Sequence, residues 1–276
     1  MKFTEKLARA TAKAGTPLMI GLDPDYTKIP QIIAQQTRSE HAAIQLFCQE
    51  IIDATGDICC GYKLNLAFFE KLGAEGIRVF EQLCRHIPEH QIVLADAKRG
   101  DIGNTARQYA QAYYETFDCD AITLNPLMGL ETLRPFLEDE SRAAFVLALT
   151  SNPGAADFLL HEMPGGQQLS VRIAEMLAAM QQESGVNGHI GMVTGATQTA
   201  DFAAVSRAFP EATLLVPGFG AQGGSYEELR PHIKAHKGLF IPVISRSIIY
   251  EFSFADPHWL NSVLRAATRE AAAFAS

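Results

Sequence analysis

One pattern constrains this chain more than any other. A short apolar run followed by a stretch of helical periodicity recurs eight times, with Gly, Pro or Asn between units. The apolar runs fall at 18–22, 58–64, 91–95, 121–124, 144–149, 189–193, 213–216 and 239–244. Each is too short for a helix of its own and is rich in Ile, Val and Leu, as strands of a buried parallel sheet are. Helical patterns lie at 40–54, 66–84, 105–117, 130–137, 168–181, 199–208, 226–234 and 257–273. Such alternation implies parallel strands joined by right-handed crossovers. Eight units in about 250 residues predict an α/β fold closed into a (β/α)8 barrel. The 276 residues, 47% hydrophobic, are enough for one such domain over 1–276. An open doubly wound sheet is the alternative. However, the first strand runs into Gly21-Leu22-Asp23-Pro24-Asp25 rather than a G-x-G-x-x-G turn.

A further helix is expected at 2–14, where Phe3, Leu7 and Ala10 share a face that could close one end of the barrel. Charged residues interrupt this segment, so it lacks the apolar core of a secretory signal, and no later run is long enough to span a bilayer. With 23 Lys and Arg against 31 Asp and Glu, the net charge of −8 argues against nucleic acid and anionic membranes as partners. The five cysteines are odd in number and have no C-x-x-C spacing, as expected of reduced cysteines in a cytoplasmic protein. His232 and His236 lack the intervening Glu of a zinc helix and are read as a solvated face, so no metal is expected.

In a barrel of this kind chemistry sits where the carboxyl ends of the strands converge. The first strand delivers Asp23. The second carries Lys63 inside an apolar run, where an unpaired ammonium would be costly and must find a carboxylate. The third breaks from Ile92-Val-Leu-Ala into Asp96-Ala-Lys98-Arg-Gly-Asp101. A salt-bridged loop would explain that cluster taken alone. The fifth ends at Ser151 and opens a long connection over 151–167, of the kind that covers an active site. After the seventh, Pro217-Gly-Phe-Gly-Ala-Gln222-Gly-Gly can turn several N–H groups toward an anion, and Arg246 follows the eighth. Together these predict a phosphate grip beside a row of alternating charge. A Schiff-base lysine is conceivable, but neighbouring carboxylates favour a protonated ammonium, suited to proton donation or to stabilising a carbanion.

These residues resemble the orotidine 5′-phosphate decarboxylase family. The D-x-K-x-x-D motif is present as Asp96-Ala-Lys98-Arg-Gly-Asp101, within the longer D-A-K-R-G-D-I-G-N-T. Ser151-Asn-Pro-Gly-Ala and the Pro217 loop are similar to the longer bacterial (type 2) members. The resemblance implies decarboxylation of orotidine 5′-phosphate to UMP without a cofactor. In it Lys98 is the proton donor to C6 and Asp96 faces the substrate carboxylate. Lys63 and Asp23 contact the ribose and complete the row, with Asn65 a weaker ribose contact. Ser151 reads the pyrimidine edge, Pro217 lines the base pocket, and Gln222 and Arg246 hold the phosphate. Asp101 and Thr105 are implied to reach the partner's site in a homodimer with shared active sites. D-x-K-x-x-D also occurs in Mg2+-dependent sugar-phosphate decarboxylases and synthases, which are the alternative; a binding protein that has lost its chemistry is a third. One departure is Ser245, where many members have Gly before the arginine.

Overall fold

The computed structural model describes residues 1–219 and 223–275. Eight parallel strands close into a barrel in chain order: β1 (Met19–Leu22), β2 (Gly61–Asn65), β3 (Ile92–Arg99), β4 (Ala121–Leu124), β5 (Ala143–Leu149), β6 (His189–Thr194), β7 (Thr213–Pro217) and β8 (Phe240–Ile244). Closure comes from β1 pairing with β8, Met19 opposite Val243 and Ile20 opposite Ile244. The barrel, and not the open sheet, is therefore the architecture of this chain.

Side chains alternate along each strand, so one parity fills the barrel and the other packs under the helices. Met19, Ile92, Leu94, Ala121, Phe145, Val193, Leu215 and Val243 form the interior cluster. Their neighbours Ile20, Val93, Ile122, Val146, Met192 and Leu214 belong to the outer layer between sheet and helices. The helix Phe3–Ala14 packs Phe3, Leu7 and Ala10 against the interior cluster at the amino-terminal end of the barrel. Phe3 stacks on His189 at 5.9 Å and meets Phe145 edge-on, while Lys6 reaches the buried Asp120 at 2.5 Å. Burial pushes the His189 imidazole down to about 4.

Three helical expectations need correction. The pattern at 66–84 is two helices, Leu66–Glu70 and Gly73–His86, because Gly73, where the second begins, takes a left-handed φ of 64° that the interior of a continuous α-helix does not accommodate. The stretch at 130–137 holds only 3₁₀ turns, Leu130–Thr132 and Arg134–Phe136, since Pro135 has no N–H for an α-helical bond. The helix expected at 105–117 begins earlier, at Gly103, and its last turn widens to π geometry over Ala112–Thr116. The long connection at 151–167 contains one short helix, Ala155–Phe158, and a bridge between Glu162 and Gln168.

His236 also departs from the solvated reading: it ends the helix Tyr226–Ala235 with its ring nitrogen on the Ala212 carbonyl, and burial lowers its pKa. All five cysteines are buried and unbridged. Among the described residues no helix is long and apolar enough to cross a membrane.

Candidate active site

A cavity of about 510 Å3 opens at the carboxyl ends of the strands. Its floor is apolar, built from Leu147, Val193, Leu215 and Val243, which also belong to the barrel interior. The charged groups stand directly above, placed there by strand periodicity. Asp96 shares the inward parity of Ile92 and Leu94, and Thr123 shares that of Ala121. Lys63 and Asn65 face the same cavity from β2.

The charge row is a connected set. Lys63 Nζ lies 2.8 Å from Asp96 Oδ2 and 3.8 Å from Asp23 Oδ1, and Lys98 Nζ lies 2.7 Å from Asp96 Oδ1. Asp96 thus gives one oxygen to each lysine. The two lysines differ in setting: the Lys63 side chain is 8% exposed and the Lys98 side chain 52%. Burial acts against charge on Asp96, but the two facing ammonium groups prevail and hold its carboxyl well below the usual range. Burial likewise opposes the Lys63 ammonium, yet Asp96 and Asp23 outweigh it and raise the pKa. Asp96 and Lys63 are therefore both ionised across the physiological range. Asp23 Oδ1 is buried and accepts no hydrogen bond among the described residues.

Local backbone geometry helps aim Lys98. Between Ala95 and Arg99 the β3–β4 register shifts: four steps on β3 oppose two on β4, from Ile122 to Leu124. Within that bulge Lys98 adopts φ 47°, a left-handed conformation rare for a lysine. Its N–H donates to Thr123 Oγ1 at 2.9 Å, and the same hydroxyl donates to Asp96 Oδ1 at 2.9 Å.

On the opposite wall, Ser151, Pro217 and Arg246 line the cavity. Among the described residues no carboxylate pairs with Arg246, so its guanidinium is available to an anion. Gln222 lies outside the described residues. Ser151 sits against Gly195, where a Cβ would come within 2.6 Å of the Ser151 nitrogen, and its carbonyl accepts from Thr197 Oγ1. The departure at Ser245 has a matching partner in β1: a Cβ on Gly21 would meet Ser245 Oγ at 1.8 Å. Glycine there makes room for the serine.

Asp101 and Thr105 are not brought to this cavity. Asp101 accepts the Ile102 N–H, and Thr105 lies exposed at the start of the helix Gly103–Gln111. Asn65 lines the cavity, but its side-chain oxygen caps the helix Leu66–Glu70 through the Ala67 N–H.

Sequence reasoning missed Thr123, Gly195 and Tyr250. The Tyr250 hydroxyl donates to the Asp23 carbonyl at 2.8 Å and accepts the Asp25 N–H at 2.6 Å, tying the end of β1 to the segment after Arg246.

Fold and site together define a class of (β/α)8 barrels that gathers paired lysines and carboxylates in one cavity at the carboxyl ends of its strands. The comparisons narrow the class. Residues 16–252 match the Orotidine 5′-phosphate decarboxylase / HUMPS family. An orotidine 5′-phosphate decarboxylase from Herpetosiphon aurantiacus is 42% identical over 90% of this chain and 89% of its own length. One from Roseiflexus is 39% identical over 91% and 89%. Among solved structures, an orotidine-monophosphate decarboxylase from Toxoplasma gondii superposes with a TM-score of 0.82 at 30% identity, covering 98% of both chains. The Leishmania donovani OMP decarboxylase gives 0.79 at 28% identity, covering 99% and 98%. This chain belongs to the orotidine 5′-phosphate decarboxylase family.

Proposed function

We propose that residues 1–276 act as one domain that converts orotidine 5′-phosphate to UMP and CO2 in pyrimidine synthesis, in the cytoplasm, with no cofactor. The observation that carries this is the connected row Lys63–Asp96–Lys98 at the mouth of a cavity whose far wall holds Arg246.

Arg246, with Gln222, grips the substrate phosphate, and Pro217 and Ser151 bound the base. Binding energy from the phosphate, remote from the reacting carbon, can be spent in bringing the carboxylate against Asp96. The C6–carboxylate bond then breaks, CO2 departs, and the electron pair remains on C6. Fixed ammonium groups above an apolar floor stabilise that charge without reorganisation. Lys98, the more exposed lysine, donates a proton from Nζ to C6 and recovers it from water. Lys63 stays paired with Asp96 and Asp23. The buried Asp23 Oδ1 offers an acceptor to a ribose hydroxyl.

The homodimer is part of the same reading. Asp101 and Thr105 stand away from the cavity of their own chain. Beside them the loops after β3 and β4 expose Ile102, Leu127 and Met128 by half or more. Apolar exposure of this kind suits a surface covered by a second copy, which would receive Asp101 and Thr105 at its site.

The names of the relatives do not favour the Mg2+-dependent sugar-phosphate alternative. The deciding experiment is loss of the orotidine 5′-phosphate chromophore in the presence of EDTA. Full turnover supports the proposal; turnover that disappears and returns with Mg2+ points to the enediolate chemistry of the alternative.

A further inference from the structure

We propose that Thr123 is a positioning residue of the reaction, its hydroxyl fixing the Asp96 carboxylate and the Lys98 backbone relative to each other. The inference rests on Asp96 and Lys98 being the reacting pair.

Thr123 is buried on β4, with a hydroxyl that can donate one hydrogen bond and accept others. It donates to Asp96 Oδ1 at 2.9 Å and accepts the Lys98 N–H at 2.9 Å. Both contacts fall inside the bulge, where the register between β3 and β4 is interrupted. Lys98 there is in a left-handed conformation, which persists only when its surroundings impose it. Among the described residues the hydroxyl is thus the one side-chain group bonded to both the carboxylate and the main chain of the lysine. Its donated bond also orients the lone pairs of Asp96 Oδ1, the oxygen that receives Lys98 Nζ.

A side chain that only filled space would be replaced by valine at little cost to chemistry. Thr123→Val keeps the shape, takes the acceptor from the part-buried Lys98 N–H and takes one donor from Asp96. We expect kcat to fall by at least about tenfold with KM within about threefold, as for an interaction needed in the transition state. The acid limb of the kcat profile should move to higher pH, because a carboxylate with fewer donors protonates earlier. Thr123→Ser, which restores the hydroxyl, should recover kcat to within about threefold of the parent.

Binding of UMP and thermal melting of each variant register folding separately from chemistry. If Thr123→Val does not fold, Thr123→Ala and Thr123→Ser supply the same comparison, with and without the hydroxyl. An unmoved acid limb, or a serine variant as slow as the valine or alanine variant, overturns the proposal. Turnover by Lys98→Ala, measured alongside, would instead overturn the assignment of the reacting pair, whatever Thr123 does.

Discussion

Lys63 and Asp96 form a buried ion pair at the mouth of this barrel, Nζ to Oδ2 at 2.8 Å with side chains 8% and 10% exposed. Removing one partner strands the other charge in an apolar setting. Asp96→Asn should cost about 3–5 kcal/mol of stability and lower kcat by roughly 10²–10³-fold. The pH dependence follows from the two shifts. Asp96 is depressed, so its contribution is full above about pH 4 and is lost as pH falls through its folded value. Lys63 is raised, so its contribution is full below about pH 10 and is lost as pH rises through its folded value. Melting curves of parent and variant should keep a constant gap from pH 5 to 9 and converge in stronger acid; a gap that varies across the neutral range would contradict the pairing.

Lys98 differs because it is half-exposed and lies in left-handed backbone. Lys98→Ala should abolish turnover and leave UMP affinity within about tenfold. Lys98→Gly should be equally inactive yet more stable than the alanine variant by about 1 kcal/mol, since only glycine takes φ 47° without a Cβ penalty. Denaturant titration of the pair measures this; equal midpoints would mean that the left-handed conformation carries no strain.

Arg246 should act on binding. A charge-assisted contact to phosphate is worth about 1.5–3 kcal/mol, so Arg246→Ala should raise KM by roughly 10–100-fold. Arg246→Lys should recover only part, because an ammonium cannot reproduce the guanidinium fork. Steady-state kinetics at several salt concentrations would show the dependence on ionic strength weaken in the alanine variant.

Asp101 tests the shared site. Asp101→Ala and Lys98→Ala homodimers should each be inactive. Mixed and allowed to exchange subunits, they form hybrids in which one of two sites holds an intact Lys98 and the partner's intact Asp101. Random pairing then restores about a quarter of parental activity. A mixture that stays inactive while exchange is verified would place Asp101 in its own chain's site.

Gly195 sets the height of Ser151. A methyl group there would press on the Ser151 nitrogen at 2.6 Å and Cα at 2.7 Å, both main-chain atoms that cannot swing aside. Gly195→Ala should therefore raise KM by roughly tenfold, a shift of about 1.4 kcal/mol, with kcat changed much less. An unchanged KM would show that Ser151 does not contact the base.

Much of this architecture can be read from alternation alone. The run at 121–124 coincides with β4, and the inward parity of Ile92 and Leu94 carries through to Asp96. Strand-end charges were visible because Asp, Lys and Arg are costly in such places. Thr123 gave no such signal: threonine is an ordinary strand residue, and its role depends on a bulge in the neighbouring strand. Tyr250 lies five residues past the last arginine-bearing turn's first serine, Ser245, and its bonds reach back more than two hundred positions, to Asp23 and Asp25. The helices misread at 66–84 and 130–137 each contain a residue, Gly73 or Pro135, whose backbone effect outweighs the apolar spacing around it. Asp101 and Thr105 were singled out by the resemblance alone, and neither lines the cavity of its own chain.

Strand β3 is held at both ends. At the base, Asp120 accepts the Val93 N–H while pairing with Lys6 of the closing helix. At the mouth, Arg99 pairs with Glu70 and lies over the rings of Tyr109 and Tyr113 at 5.5 and 5.8 Å. A beam clamped at two supports does not travel lengthwise, so Asp96 and Lys98 keep a fixed elevation. Any adjustment to an arriving substrate must then come from the surrounding loops, with β3 serving as the datum against which they close.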